Sequence, residues 1–219
     1  MLPTDNTAVR LPLLALRGVV VFPKTVASFD VARKKSANAL RVAMEADQTL
    51  FVATQKDVYV EEPEERDLYE IGTVVKIKQV LKVTDNVIKV LVEGLYRAKR
   101  LTFKNGTRYL VADVLALEEK PLQNRQVYKE SLLRRIKQKF NDYVSVLRGV
   151  APDVLMTAEN SEDIGFLCDY IAYNIPAPFD DKQYVLEQTS VSKRAKILLE
   201  LLDKEREIGE IDRKIQEKT

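Results

Sequence analysis

The chain has 219 residues, 46% hydrophobic and 31% charged, enough to bury one large core or two small ones beneath a solvated surface; disordered and collagen-like classes are excluded. Thirty-five basic and 33 acidic side chains leave a net charge of +2, which gives no ground for a nucleic-acid or anionic-membrane partner. The absence of histidine excludes His-dependent triads and His-bearing zinc sites, and one cysteine excludes an internal disulfide or a thiolate cluster.

No secretory signal is visible over Met1 to Arg10, and the apolar stretch Gly18 to Pro23 is too short to span a bilayer. A lone Cys168 within an apolar segment suits a reducing compartment, so a cytoplasmic location is expected. Short apolar runs at Leu11–Leu16 and Val19–Phe22, punctuated by Pro12, Gly18 and Pro23, predict buried or edge strands with bends. Ala27–Val31 alternates less clearly. Lys34 to Ala46 reads as a helix with Ala37, Leu40, Ala43 and Met44 on one face. Leu50–Ala53 is another short strand, and Tyr59–Asp67 an acidic loop.

The clearest hairpin follows. Val75, Ile77, Leu81 and Val83 share one face opposite Lys76, Lys78 and Lys82. Thr84-Asp85-Asn86 supplies the turn, and Ile88, Val90 and Val92 continue on one side. Gly94 marks a bulge or bend in the returning strand. A last strand, Arg108–Leu115, comes after the Asn105-Gly106 turn. Several strands with one early helix predict a small curled sheet or pseudo-barrel over residues 1–118.

Beyond residue 118 the apolar period changes to three and four. A helix is expected from a first-turn Pro121 through Leu133, Ile136, Phe140, Tyr143 and Leu147 to Gly149, a rod of about 40 Å. Asn160 or Ser161 is expected to cap a helix with Ile164, Leu167, Cys168 and Ile171 on its apolar face, ended by Pro176 and Pro178. A short helix spans Phe179–Glu187, and Thr189 or Ser190 opens the last one. Ala195, Leu198, Leu199 and Leu202 pack it onto a helical bundle over 119–202. From Asp203 to Thr219 the seam narrows to Ile208, Ile211 and Ile215, which calls for a partner. Residues 203–219 are therefore read either as a solvated tail or as a helical extension toward a further domain. The fold class is α+β.

Catalytic constellations are missing from the pattern: neither a G-x-x-x-x-G-K-[ST] phosphate loop nor a G-x-S-x-G elbow occurs. Ser192-Lys193 and Lys35-Ser36 are adjacent pairs that do not face each other on a helix. Glu61-Glu62 and Glu64-Glu65 lack the alternation around a glycine turn that a hard cation needs, so they read as a solvated loop.

A resemblance is carried by the run Leu11-Pro12-Leu13-Leu14-Ala15-Leu16-Arg17-Gly18-Val19-Val20-Val21-Phe22-Pro23, which is similar to the opening of the Lon protease amino-terminal domain. It continues in Ala32 to Ser36, in Leu68 to Val74, and in Val87 to Ala98, in the same order and spacing; Ala15 stands where many relatives have proline. The resemblance implies a cytoplasmic ATP-dependent serine protease working as a homo-oligomeric, usually hexameric ring. In it this part recognises unfolded or damaged polypeptide and helps assemble the ring. ATP and magnesium are implied only for an ATPase module absent from this sequence, so no cofactor, metal or catalytic residue is expected here.

Substrate contacts are sought in exposed apolar and adaptable positions. Phe22 and Pro23 either cap the barrel from its core or protrude as contacts. Arg33, Lys34 and Lys35 form a basic cluster ahead of the first helix, a solvated helix start or a contact for acidic substrate segments. Leu155 and Met156 lie in a connection after Pro152, packed or offered to substrate. Two other readings are a PUA-like RNA-binding module, disfavoured by interleaved acidic residues and the absence of tryptophan, and a freestanding adaptor.

Overall fold

A computed structural model describes residues 6–147 and 149–219 and divides the chain between Glu118 and Glu119. The first unit holds β1 (Val9–Leu16), β2 (Val26–Val31), α1 (Lys34–Glu45), β3 (Thr49–Thr54), β4 (Ile71–Lys82), β5 (Ile88–Asn105) and β6 (Leu110–Ala116). Their order is β2-β5-β4-β3-β1-β6, and a further β5–β6 pairing closes the sheet into a barrel. β5 makes this possible: its first half pairs with β2 and its second with β6, while β4 lies along residues 88–99 of it. Among the pairings of the six described strands, only β1–β3 is parallel. β3 is flanked on both edges and packed by α1, so it buries side chains of both parities, including Leu50, Phe51 and Val52. β2, in contrast, alternates strictly, with Ala27, Phe29 and Val31 inward.

Val19–Phe22 does not form the expected strand. This segment, buried from Val20 to Phe22, makes no ladder, and threonine hydroxyls reach three of its carbonyls: Thr54 Oγ1 donates to Val19 O at 2.6 Å, Thr73 Oγ1 to Val21 O at 2.6 Å and Thr25 Oγ1 to Phe22 O at 2.7 Å. Gly94 serves this segment as well as the bend. A Cβ there would lie 2.0 Å from the Phe22 carbonyl oxygen. Next to it the β4–β5 register shifts, Val74 facing Tyr96 and Val75 facing Gly94. A second shift lies between Ile77 and Gln79, and beyond it both faces of β4 are exposed: Val75 and Ile77 are buried, but Leu81 and Val83 are not. On α1 the buried residues are Ala39, Leu40 and Ala43, and Met44 is exposed.

The second unit contains α2 (Gln126–Val146), α3 (Pro152–Asn160), α4 (Ile164–Asn174), α5 (Phe179–Leu186) and α6 (Val191–Lys218). α6 packs on α2, α4 and α5. The helix expected from Pro121 to Gly149 is shorter: Lys120 bridges Ser190 and exchanges backbone hydrogen bonds with Thr189 and Val191, which holds the approach extended until Gln126. Leu155 and Met156 belong to a helix with Pro152 in its first turn, not to a connection. Asp163, not Asn160 or Ser161, caps α4 by accepting from the Phe166 amide at 3.1 Å. Ser190 caps α6, which continues unbroken through Asp203 to Lys218. Its buried Arg194 ties the unit together, donating to Gln188 O at 2.8 and 3.0 Å and lying 3.3 Å from Glu119 and 3.6 Å from Asp169.

Candidate functional site

Two adjoining clefts open on the barrel where β1 and β2 end and α1 begins. The first, of about 300 Å³, runs between Leu14–Arg17 on one side and Phe29–Arg33 on the other. Its walls are aliphatic and aromatic because the inward parity of β2 places Phe29 and Val31 there, opposite Leu14 and Leu16 of β1. The second, of about 370 Å³, is lined by Arg17, Arg33, Lys34 and Lys35 together with Glu61 and Glu62. Arg17, Arg33 and Ser36 are common to both, so an apolar trough leads into a charged one.

Gln55, fully buried at the end of β3, organises this corner. Its amide nitrogen donates to Asp57 O and Val60 O at 3.0 Å each, its backbone N–H donates to Leu16 O, and its side-chain oxygen accepts from the Arg33 guanidinium. Arg17 donates to Val60 O at 3.4 Å, and Lys35 to the Asn105 side chain. Among the described residues none of Arg17, Arg33, Lys34 and Lys35 has a carboxylate within ion-pair distance. Burial, and then the neighbouring positive charge of Arg17, push the Arg33 guanidinium below its ordinary pKa. α1 adds to the imbalance, for its N-cap Arg33 offers no side-chain acceptor and its first turn carries no acidic residue. The corner thus sets four cations against the two exposed carboxylates of Glu61 and Glu62 and is bordered by apolar surface. It can hold an extended chain with apolar side chains and an acidic group; it lacks the enclosed, convergent polar groups of a small-molecule pocket.

The expected contact residues fall into three places. Arg33, Lys34 and Lys35 line the same cleft. Phe22 is 0% exposed and carries the carbonyl that Gly94 accommodates, so it is a core residue and unavailable as a surface contact; Pro23 beside it is half-buried. Leu155 is half-buried in the helical unit, whereas Met156 is 65% exposed. The sequence reading missed Arg17 and Gln55: a single glutamine after an apolar run has no periodic signature, and Arg17 enters only through the turn at Gly18. Glu61 and Glu62 line the cleft as exposed loop residues, while Glu65 pairs with the buried Arg100 at 2.9 Å. In the helical unit a cavity of about 500 Å³ is lined by Leu122, Leu133, Glu130 and Glu162 among others, and its Glu119 is committed to Arg194. Among the described residues no group of three or more Cys, Asp or Glu side chains could hold a metal ion, and no helix is long and apolar enough to cross a membrane.

The family model described as the ATP-dependent protease La (LON) substrate-binding domain matches residues 10–204. The chain belongs to the Lon substrate-binding domain family. Among its relatives, the Lon protease of Brevibacillus choshinensis is 40% identical over 205 residues, 94% of this chain and 26% of that protein. The Lon protease of Escherichia coli K12 is 33% identical over 216 residues, 99% of this chain and 27% of that one. This Lon domain therefore spans about a quarter of the length of the relatives it matches. The fold recurs in the N-terminal domain of a Mycobacterium avium complex Lon protease, with a TM-score of 0.72 at 19% identity over 89% of this chain and 98% of that one. It recurs again in a Lon N-terminal domain protein from Xanthomonas campestris, with a TM-score of 0.61 at 15% identity over 87% and 97%.

Proposed function

We propose that this Lon domain recognises unfolded or damaged polypeptide and delivers it to a cytoplasmic ATP-dependent serine protease that works as a homo-oligomeric, hexameric ring. The observation that carries the reading is the apolar trough opening into a net-cationic corner at Arg17 and Arg33. An unfolded chain offers what such a surface can take: apolar side chains, free backbone and scattered carboxylates. Arg33, Lys34 and Lys35 serve it as contacts for acidic segments, and the exposed Met156 and half-buried Leu155 provide adaptable apolar contact on the helical unit. Affinity per site is modest, because an open surface lacks preorganised hot spots; a ring multiplies it through effective concentration. The exposed Ile208, Ile211 and Ile215 seam of α6 supports a role in assembly. ATP and magnesium act in an ATPase module outside these residues, and degradation of misfolded and selected regulatory proteins belongs to the whole protease.

Titration of the chain with a permanently unfolded protein and with its folded counterpart tests the reading. Preference for the unfolded form, weakened by Arg17→Glu and Arg33→Glu, is expected; equal affinity for both forms refutes it. A steep salt dependence with single-stranded RNA, at higher affinity than for polypeptide, would favour a nucleic-acid module instead.

A further inference from the structure

β2 is an edge strand. Its ladder to β5 pairs Val26 with Glu93 through Val31 with Ile88, and among the described residues no strand lies on its other side. Which peptide groups face outward follows from two independent points in the antiparallel pattern. The Gly94 amide donates to Thr25 O at 2.9 Å, which makes every second residue from Thr25 a hydrogen-bonded partner of β5: Ala27, Phe29 and Val31. From the other direction, Val83 N donates to Val87 O at 3.0 Å, so Lys89 and Leu91 point toward β4 and Ile88, Val90 and Val92 toward β2, which selects the same three residues. The N–H and C=O groups of Val26, Ser28 and Asp30 are left facing away from the sheet. No backbone or side-chain hydrogen bond to these groups is seen from beyond the strand among the described residues.

Edges of this kind are normally blunted by bulges, covering loops or inward charges. Here protection is slight: Asp30 is the one charged residue on the strand, and Val26 is 54% exposed. Phe29 and Val31 of this strand also form a wall of the apolar trough, and the chain passes from Val31 through Ala32 to Arg33, which with Arg17 has no carboxylate within ion-pair distance among the described residues. Backbone acceptors, apolar surface and positive charge follow one another along a single line of about 20 Å.

We propose that β2 receives an extended polypeptide as an added strand, its main chain bonded to the outward groups of Val26, Ser28 and Asp30 and an acidic side chain beyond the Val31 end seated against Arg17 and Arg33. This inference rests on the polypeptide-binding reading and deepens it. Main-chain pairing explains how one surface accepts many sequences: the ladder recognises backbone common to all unfolded chains, and the arginines add a preference for acidic neighbours. Folded proteins are rejected because their backbone groups are already paired.

The test uses the 219-residue chain and an eight-residue peptide of alternating Val and Ser with Asp at each end, alongside the same peptide N-methylated at every second residue in either phase. One phase is expected to bind at least tenfold more weakly than the unmethylated peptide, and the other to bind nearly as well. Amide exchange at Val26, Ser28 and Asp30 is expected to slow on binding, with Ala27, Phe29 and Val31 little changed. Equal affinity for all three peptides, or slowed exchange confined to other elements, overturns the inference. So does failure of the peptide to bind while an unfolded protein does, which leaves the broader reading standing; failure of the unfolded protein itself removes that reading instead. Concentration-dependent protection of Val26, Ser28 and Asp30 without peptide would show two copies pairing through β2 and would equally overturn the proposal.

Discussion

Gly94→Ala separates a packing requirement from a conformational one. The added methyl would sit 2.0 Å from Phe22 O, 2.8 Å from Phe22 C and 3.0 Å from Pro23 Cα, all backbone atoms that cannot rotate away. Relief requires the Phe22–Pro23 segment to move by about 1 Å, at an overpacking cost of ~1–3 kcal/mol. The same movement strains two hydrogen bonds, Lys24 N to Gly94 O at 2.8 Å and Gly94 N to Thr25 O at 2.9 Å. At about 1 kcal/mol each, they bring the expected loss to roughly 3–5 kcal/mol. Gly18→Ala is the control: Gly18 has φ of +68° with no atom near the added methyl, so only the left-handed conformation is penalised, by about 1 kcal/mol. Native-state amide exchange at Phe51 and Val52 of β3, a strand paired on both sides, reads the barrel separately from the helical unit. Exchange there should quicken by two to three and a half powers of ten in Gly94→Ala, at about 1.4 kcal/mol per power, and by less than one power in Gly18→Ala. Equal effects of the two substitutions, or a loss below 1 kcal/mol at Gly94, would refute the assignment of Gly94 to close packing.

Other expectations follow from buried groups. Burial pushes Lys182 down to about 8 from 10.5, so between those values the unfolded chain binds the proton more firmly and stability rises as pH increases. Tyr143, pushed up to about 12, acts in the opposite direction above pH 10, which leaves pH 8–10 as the window to read. Urea midpoints should show a gain of about 1–2 kcal/mol across it, abolished in Lys182→Met; an unchanged slope in the variant refutes the assignment. Arg194→Met removes the cation between Glu119 and Asp169 and should destabilise the helical unit by about 3–5 kcal/mol in urea unfolding, with partial recovery on adding Asp169→Asn. Phe22→Ala should lower stability by about 3–5 kcal/mol, whereas Met156→Ala should stay within about 0.5 kcal/mol while weakening polypeptide binding.

The elements easiest to read were those whose side chains report one environment along their whole length. Ile88, Val90 and Val92 alternate as expected because that half of β5 has one buried face, and α5 is legible between Pro178 and the α6 cap. Periodicity failed where polar side chains replaced a ladder. Val19–Phe22 is as apolar as a strand, yet the hydroxyls of Thr25 and of the distant Thr54 and Thr73 satisfy its carbonyls. It failed again beyond Ile77 of β4, where one extra residue exchanges the faces and neither face is buried. At the candidate site, the basic run Arg33-Lys34-Lys35 was visible as charge. Its pairing with Arg17 depends on Gln55 and on β1 ending beside β2, a tertiary coincidence with no local signal. The open edge of β2 was equally hidden, since Ala27–Val31 would read the same with neighbours on both sides.

β2 is fastened along one flank, whereas β1, β3, β4 and the first half of β5 are each fastened along two. On warming, it can peel away at the expense of a single ladder, and the remaining strands still form a closed ring through β5 and β6. The part of this barrel suited to accepting a guest is therefore the part that melts first, and a guest lying along it supplies the second flank that would delay that melting.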